Sequence, residues 1–471
     1  MLLLLAGCEP SPTQSDSPAP QNSPGSAPQA SASAPAISSA PGFHRRYTTA
    51  SADYTFSRTG YQQIQLDNGE ILLLGRSLMT PRNGSETGEA TLLHKLDVQG
   101  QPLWTKGLNK GQQIRIESMI LHDGALYLAG TFRDLENPTP DRNLNITLRD
   151  MLMLKMDLNG NILWQQRLKP TPFTNTFTNE IKPLAVDAER VGLVYYNRLY
   201  VLSTANGSYL NGLDFHGGIQ SLASTPDGGF LVNHKTRLPN YTWVNSGFQI
   251  SSLSNQLQPR WQKEYGADLK GIFTLAQLSE VSPGRYHTAM AINEANFAGN
   301  SVGIVHLFTN AEGQVQQSFA DLSEVSGSRL AYVSIENSYW QDGHLFLNTQ
   351  QTNGKGGIRF TGTIQYKPDG SIVHMRAGSG TQAYQNRLLL NLSSQRLPAA
   401  VHFELAANQA QTDLCEETPP ASIDRDEDYQ VTVSEAAPAP VSLAAPTVMP
   451  PPEIPTVEVS LRSGRGECTG S

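Results

Sequence analysis

KLDVQGQPLW (95–104) and KMDLNGNILW (155–164) carry Lys, Asp, Gly, Leu and Trp at five matching positions, sixty residues apart. The residue types describe a chain reversal. Glycine supplies positive φ, and aspartate bonds the local backbone, so Asp97 to Gly100 and Asp157 to Gly160 read as the same turn between two short strands. Trp104 and Trp164 close the phrase on the second of those strands.

Working outward, the phrase belongs to a longer unit. An apolar strand precedes it: EILLLG (70–75) before the first copy and ALYLAG (125–130) before the second. Such runs are too short for helices and suit strands buried on both faces. Weaker copies keep the order: GLVYYN with RLYVLSTANGSYL, GGFLVNH with GFQISSLSNQLQPRW, YHTAMAI with VGIVHLFTNAEGQV, GHLFLNT with FTGTIQYKPDGSIV, and RLLLNLS with AVHFELAANQAQ. Seven units across 43–415 come to about 53 residues each, near the roughly 50 of kelch-type repeats. One small antiparallel sheet cannot bury its own faces, whereas copies stacked around an axis can. The expectation is an all-β protein, a seven-bladed β-propeller spanning 43–415, with six or eight blades as the alternatives.

The Leu-Asp-x-x-Gly-x-x-x-Trp turn resembles that of bacterial PQQ-like and delta-60-type propeller repeats. In that family the tryptophan docks between neighbouring blades, a role the resemblance implies for Trp104 and Trp164. Two of the seven units carry the strong match, and the other five share only its rhythm. Quinoprotein dehydrogenases share these tryptophan turns but typically carry a vicinal cysteine pair. Cys8, Cys415 and Cys468 are far apart, so no cofactor is expected. Sialidase-type Ser-x-Asp-x-Gly boxes fail as well, because two residues separate Asp97 and Asp157 from their glycines.

Other chemistry is sparse. The ten histidines show no ligand spacing, and His94, His306 and His402 fall within partner strands, where a half-buried polar role is the ordinary one. No G-x-S-x-G elbow occurs. Asp424, Asp426 and Asp428 alternate as calcium-loop carboxylates do, without the following glycine or the distal glutamate; a solvated acidic segment is the plainer reading. With 34 Lys plus Arg against 42 Asp plus Glu, the net charge of −8 argues against a nucleic-acid surface.

The ends differ from the centre. Leu5-Ala6-Gly7-Cys8 resembles a bacterial lipobox, with Cys8 the lipidated residue; since no cationic n-region precedes it and the apolar run is short, the expectation is a true start upstream or a trimmed leader. Glu9 after Cys8 favours the outer membrane. Residues 9–42 hold 8 Pro, 9 Ser and 7 Ala in 34 positions and read as a disordered tether with a span of roughly 30–35 Å. Cys415 and Cys468 remain as an even pair for an exported protein and are expected to form a disulfide. The 416–471 region, with 7 Pro in 436–456, reads as an extended arm ending in a lone strand at 455–464.

Anchor, tether and propeller without a catalytic motif lead to the expectation of a non-enzymatic envelope lipoprotein. Residues 1–8 would be the signal remnant, and the propeller would scaffold an envelope protein. A glycan- or peptidoglycan-binding propeller is one alternative, with Tyr241, Trp243, Tyr339 and Trp340 as loop-borne aromatics. The other is a hydrolase or oxidoreductase with its site in the central channel.

Overall fold

Every sheet in the computed structural model is antiparallel. Among the described residues there are seven sheets of four or five strands and one two-stranded pair. The description covers residues 43–465 with breaks, the longer ones at 171–180, 236–246, 394–402 and 408–423; residues 1–42 and 466–471 lie outside it. No helix among the described residues is long and apolar enough to cross a membrane.

Sheet I pairs Tyr61–Gln65, Ile71–Pro81, Gly88–Leu96 and Pro102–Gly107 in that order. Sheet II pairs Ile114–His122, Ala125–Phe132, Asp150–Met156 and Ile162–Lys169. Sheet III runs from Ile181–Asp187 to Tyr209–Asp214, sheet IV from Ile219–Ser224 to Pro259–Ala267, and sheet V from Gly271–Ser282 to Val315–Glu324. Sheet VI runs from Tyr332–Gln341 to Ile372–Ala377. The four strands of each sheet are called a to d below. Sheet VII is different: its strands a to c are Gln382–Ala383, Leu389–Ser393 and Phe403–Ala407, and its strand d is the N-terminal Phe43–Ala50.

Each sheet packs on the next, and the last returns to the first. Strand a of sheet II meets strand a of sheet III, and the same holds for sheets IV and V and for sheets V and VI. Sheet VII reaches sheet I through Phe43–Ala50 against Tyr54–Phe56. This closed succession of four-stranded antiparallel sheets is a β-propeller. The burial pattern follows from it. In sheet II all of strand b and all but one residue of strand c are buried, because neighbouring sheets cover both faces. Strand d starts exposed at Ile162 and Leu163. This is why strands b and c read as near-continuous apolar runs and dominate the repeat seen in sequence.

The C-terminal arm forms no lone strand; it goes around the ring in reverse order. Asp424–Asp426 pairs with strand d of sheet V, Val431–Glu435 with sheet IV, Val441–Ser442 with sheet III and Thr447–Met449 with sheet II. Ile454 packs against the core shared by sheets I and II. The arm ends as Ser460–Arg465, paired to strand d of sheet VII in the register Arg45↔Arg465 to Ala50↔Ser460. The physical reason is edge protection. Strand d is the outer edge of each sheet, and in sheets II, III, IV, V and VII the arm pairs with its otherwise open backbone groups. Proline has no N–H to give, so Pro440 and Pro446, both buried, fall between the paired segments.

Candidate interaction surfaces

The repeated turn is built as its residue types dictate. Asp97 Oδ1 accepts from the backbone N–H of Gln99 and Gln101, while Gly100 N–H donates to Asp97 O with Gly100 at φ 75°. Asp157 does the same with Asn159 and Asn161, and Gly160 sits at φ 81°. Ser254 replaces the aspartate in sheet IV with the same two backbone contacts, and Asn310 in sheet V accepts from Gln314 N–H. Leu257 takes the glycine's place at φ 62°, its side chain buried in the core shared by sheets III and IV.

The c–d turns of sheets I to V are also where the preceding sheet grips them. Tyr47 O–H donates to Gly100 O at 2.8 Å, and Arg45 Nε donates to Gln99 O, joining sheet VII to sheet I. Lys106 Nζ donates to Gly160 O at 2.5 Å, joining I to II. Trp164 Nε1 and Lys155 Nζ both reach Thr204 O at 2.9 Å, joining II to III. Arg190 of sheet III donates to Asn255 O, and Tyr265 O–H donates to Gly313 O at 2.8 Å, joining IV to V. Trp104 lies partly buried against the core shared by sheets I and II. The glycine serves twice: a Cβ on Gly207 would stand 2.8 Å from the Trp164 ring, and one on Gly313 would stand 2.6 Å from Trp261. Asp97, Gly100, Trp104, Asp157, Gly160 and Trp164 are thus parts of an inter-sheet joint.

The turn end of the ring has an unusual surface. Val98 and Leu103 of sheet I, Ile162 and Leu163 of sheet II and Leu210 of sheet III are between 37% and 56% exposed. They account for five of the seven exposed large hydrophobics among the described residues, and the other two, Val433 and Val448, are on the arm. Leu103, Leu163 and Leu210 occupy the same repeat position. Sheets IV and V have Arg260 and Gln316 there, so among the described side chains the exposed apolar positions of this end lie on sheets I to III. Phe43, where the chain enters, pairs with Ala407 at the last position of strand c. Arg45 and Tyr47 reach the Asp97–Gly100 turn from that strand, so the entry lies at the same end, beside sheet I.

The opposite end carries the b–c and d–a connections. In sheet III the b–c link is only Tyr196-Asn197, whereas sheet II uses 133–149 and sheet IV uses 236–246. Tyr241 and Trp243 are in the latter segment, outside the described residues. Tyr339 and Trp340 are not loop residues: they pair with Phe346 and Leu345 inside sheet VI.

Toward the axis, strands a of sheets II to VI each carry a register shift against strand b. In sheet II the extra residue is Glu117. Its carboxylate contacts Arg115 at 3.3 Å and accepts from Ile181 N–H of sheet III, which turns a carboxylate into a cross-sheet tie. Gln62 exchanges two hydrogen bonds with the Met119 backbone, tying I to II in the same manner. A second polar chain lies within sheet V, where His287 Nε2 and His306 Nδ1 are 3.0 Å apart and His306 Nε2 is 3.5 Å from Asp321, all three buried. Tyr366 of sheet VI packs on His306. Burial, and then the neighbouring His306 and Arg285, hold the His287 imidazole well below its usual range. His94 is buried beside Thr105, and His402 is outside the described residues.

Among the described residues no three His, Cys, Asp or Glu side chains are grouped to hold a metal ion. Asp424 and Asp426 stand on the strand paired to sheet V, and Asp428 lies outside the described residues. Cys8, Cys415 and Cys468 lie outside them too.

No protein-family model matches the chain, and no curated protein matches it in sequence. Solved structures resemble it distantly. An acylaminoacyl peptidase from Pyrococcus horikoshii matches at TM-score 0.34 and 10% identity, over 66% of this chain and 51% of the peptidase. The chain thus spans about half the peptidase's length. The phage phi92 endosialidase matches at TM-score 0.35 and 9% identity, over 84% of this chain and 75% of that one. CoXyl43, a GH43 β-xylosidase/α-arabinofuranosidase from a compost microbial metagenome, matches at TM-score 0.28 and 11% identity, over 69% and 94%. These are distant similarities to β-propeller proteins; the strand topology of this chain carries the fold.

Proposed function

We propose that this chain is a non-enzymatic, lipid-anchored protein of the bacterial cell envelope whose propeller scaffolds another envelope protein. One observation carries the reading: the chain enters the ring at the end made of short turns, while the long connections 133–149 and 236–246 leave from the other end. A leash on one face and variable loops on the opposite face is how a tethered module presents a binding surface, since loops on a rigid scaffold tolerate variation and carry recognition. The lipobox-like Leu5-Ala6-Gly7-Cys8 supplies the anchor in this reading, with the outer membrane favoured by Glu9. Among the described residues, the polar groups Arg115–Glu117 and His287–His306–Asp321 are engaged between or within sheets.

The test is in-cell crosslinking of the full-length protein and identification of what co-purifies, with Cys8→Ala as the anchor control. Replacing 236–246 with a two-residue Asn-Gly turn should remove the partner, and substitutions in the c–d turns should leave it bound. Retention of the partner by the shortened loop would move the binding face elsewhere. Capture of glycan instead of protein, lost with the same loop, would favour the saccharide-binding alternative through Tyr241 and Trp243.

A further inference from the structure

We infer that the apolar arc formed by Val98, Leu103, Ile162, Leu163 and Leu210 is a lipid-facing rim that rests against the headgroup–acyl boundary of a neutral bilayer. The inference takes its biological setting from the lipid-anchored reading above, and its geometry stands apart from it.

Three features converge. Among the described residues the exposed apolar side chains of this end lie on sheets I to III, beside the Asp97–Gly100 turn that Arg45 and Tyr47 reach, so the strand that begins at Phe43 starts at the same end. The arc's leucines recur at one repeat position, directly before Trp104 and Trp164 in sheets I and II. The tryptophan packs toward the next sheet, while the preceding leucine, at the register shift where the outermost strand d leaves its turn, stays about half exposed. Among the described residues the charged groups around the arc are engaged or set apart from it. Asp97 and Asp157 cap their own turns, Lys106 and Arg45 are held on turn carbonyls, and Asp123 and Glu189 belong to the a–b turns nearer the axis. The net charge of −8 disfavours adsorption to anionic headgroups. Burial of apolar side chains at the interface is the term left, and it suits a second, weak membrane signal added to a lipid chain.

The test uses the full-length chain with Cys8→Ser, so that no lipid contributes, and vesicles of phosphatidylcholine separated by flotation. The unlipidated chain should co-float to the same extent at low and high salt. Leu163→Ser and Leu210→Ser should each lower the bound fraction about five-fold, as loss of a half-exposed leucine's burial implies. Val433→Ser and Val448→Ser, on the arm, should change nothing. A matching thermal midpoint confirms that each variant is folded; a variant that fails this check is replaced by glutamine at the same site. Absence of flotation, equal loss from the arm variants, or binding only when phosphatidylglycerol is added would overturn the inference. Loss of a co-purified protein from the leucine variants without any flotation would reassign the rim to protein docking. Lipidation at Cys8, read from the mass of the N-terminal peptide, and partner capture by the loop end are separate readouts, so either reading can fail alone.

Discussion

A tryptophan and a glycine on adjacent sheets make the joint that this protein repeats. Trp164 crosses from sheet II to cover Gly207 and hydrogen-bonds Thr204 O, so Trp164→Ala should cost about 3 kcal/mol, the low end for a large aromatic because the ring is partly exposed. Gly207→Ala should be damaging in its own right, since φ is +72° and the new methyl meets the ring. Urea denaturation of both single variants and the double would show coupling; strictly additive effects would separate the two residues. His287 offers a test by pH. Its native imidazole is held below the ordinary value, so the unfolded chain takes up the proton first as pH falls. Stability from this site is therefore complete above about pH 6.5 and is lost below it, at up to about 1.4 kcal/mol per pH unit. The urea midpoint should fall between about pH 7.5 and 5.5, and His287→Leu should flatten that fall. An unchanged slope in the variant would place the titration elsewhere.

Among the elements, the arm has the clearest energetic role. It adds a fifth strand to sheets II, III, IV, V and VII, in segments of two to six residues. A two-residue pairing such as Val441–Ser442 is negligible alone; the segments gain from being linked, because once one is docked the next has little freedom left to lose. Ending the chain at residue 423 should lower the thermal midpoint and, by baring the d-strand edges, produce oligomers visible by size-exclusion chromatography. A truncated chain that stays monomeric with an unchanged midpoint would reduce the arm to an ornament. The exposed strand residues Val433 and Val448 on the arm should tolerate serine with little change.

The ring closes at sheet VII, where the first described strand, Phe43–Ala50, lies between Phe403–Ala407 and Ser460–Arg465. Closure ties both termini of the ring into one sheet, so no sheet can open without disturbing a neighbour. Deleting 43–50 should remove strand d of sheet VII together with the Tyr47 and Arg45 contacts to sheet I. The expected calorimetric result is a broad transition, or none, in place of one cooperative peak. A sharp peak at the original temperature would show that the remaining sheets hold without the seal.

The reversals at Asp97–Gly100 and Asp157–Gly160, the buried strands b and c, and the all-β class were legible in the sequence, because each depends on a few adjacent residues and their alternation. Strand a of each sheet was largely missed. Ile114–His122 shows the difficulty: only partly buried and interrupted by a bulge at Glu117, it keeps no clean period. The fourth strand of sheet VII, the arm's reverse path and the clustering of Leu103, Leu163 and Leu210 beside the chain's entry belong to the tertiary structure alone. Pairing between residues about 360 positions apart, such as Phe43 and Ala407, has no local signature. An exposed leucine looks like a buried one until the sheets are placed around it. Local turn chemistry determined the repeating unit; ring closure decided which of its residues meet each other and which face outward.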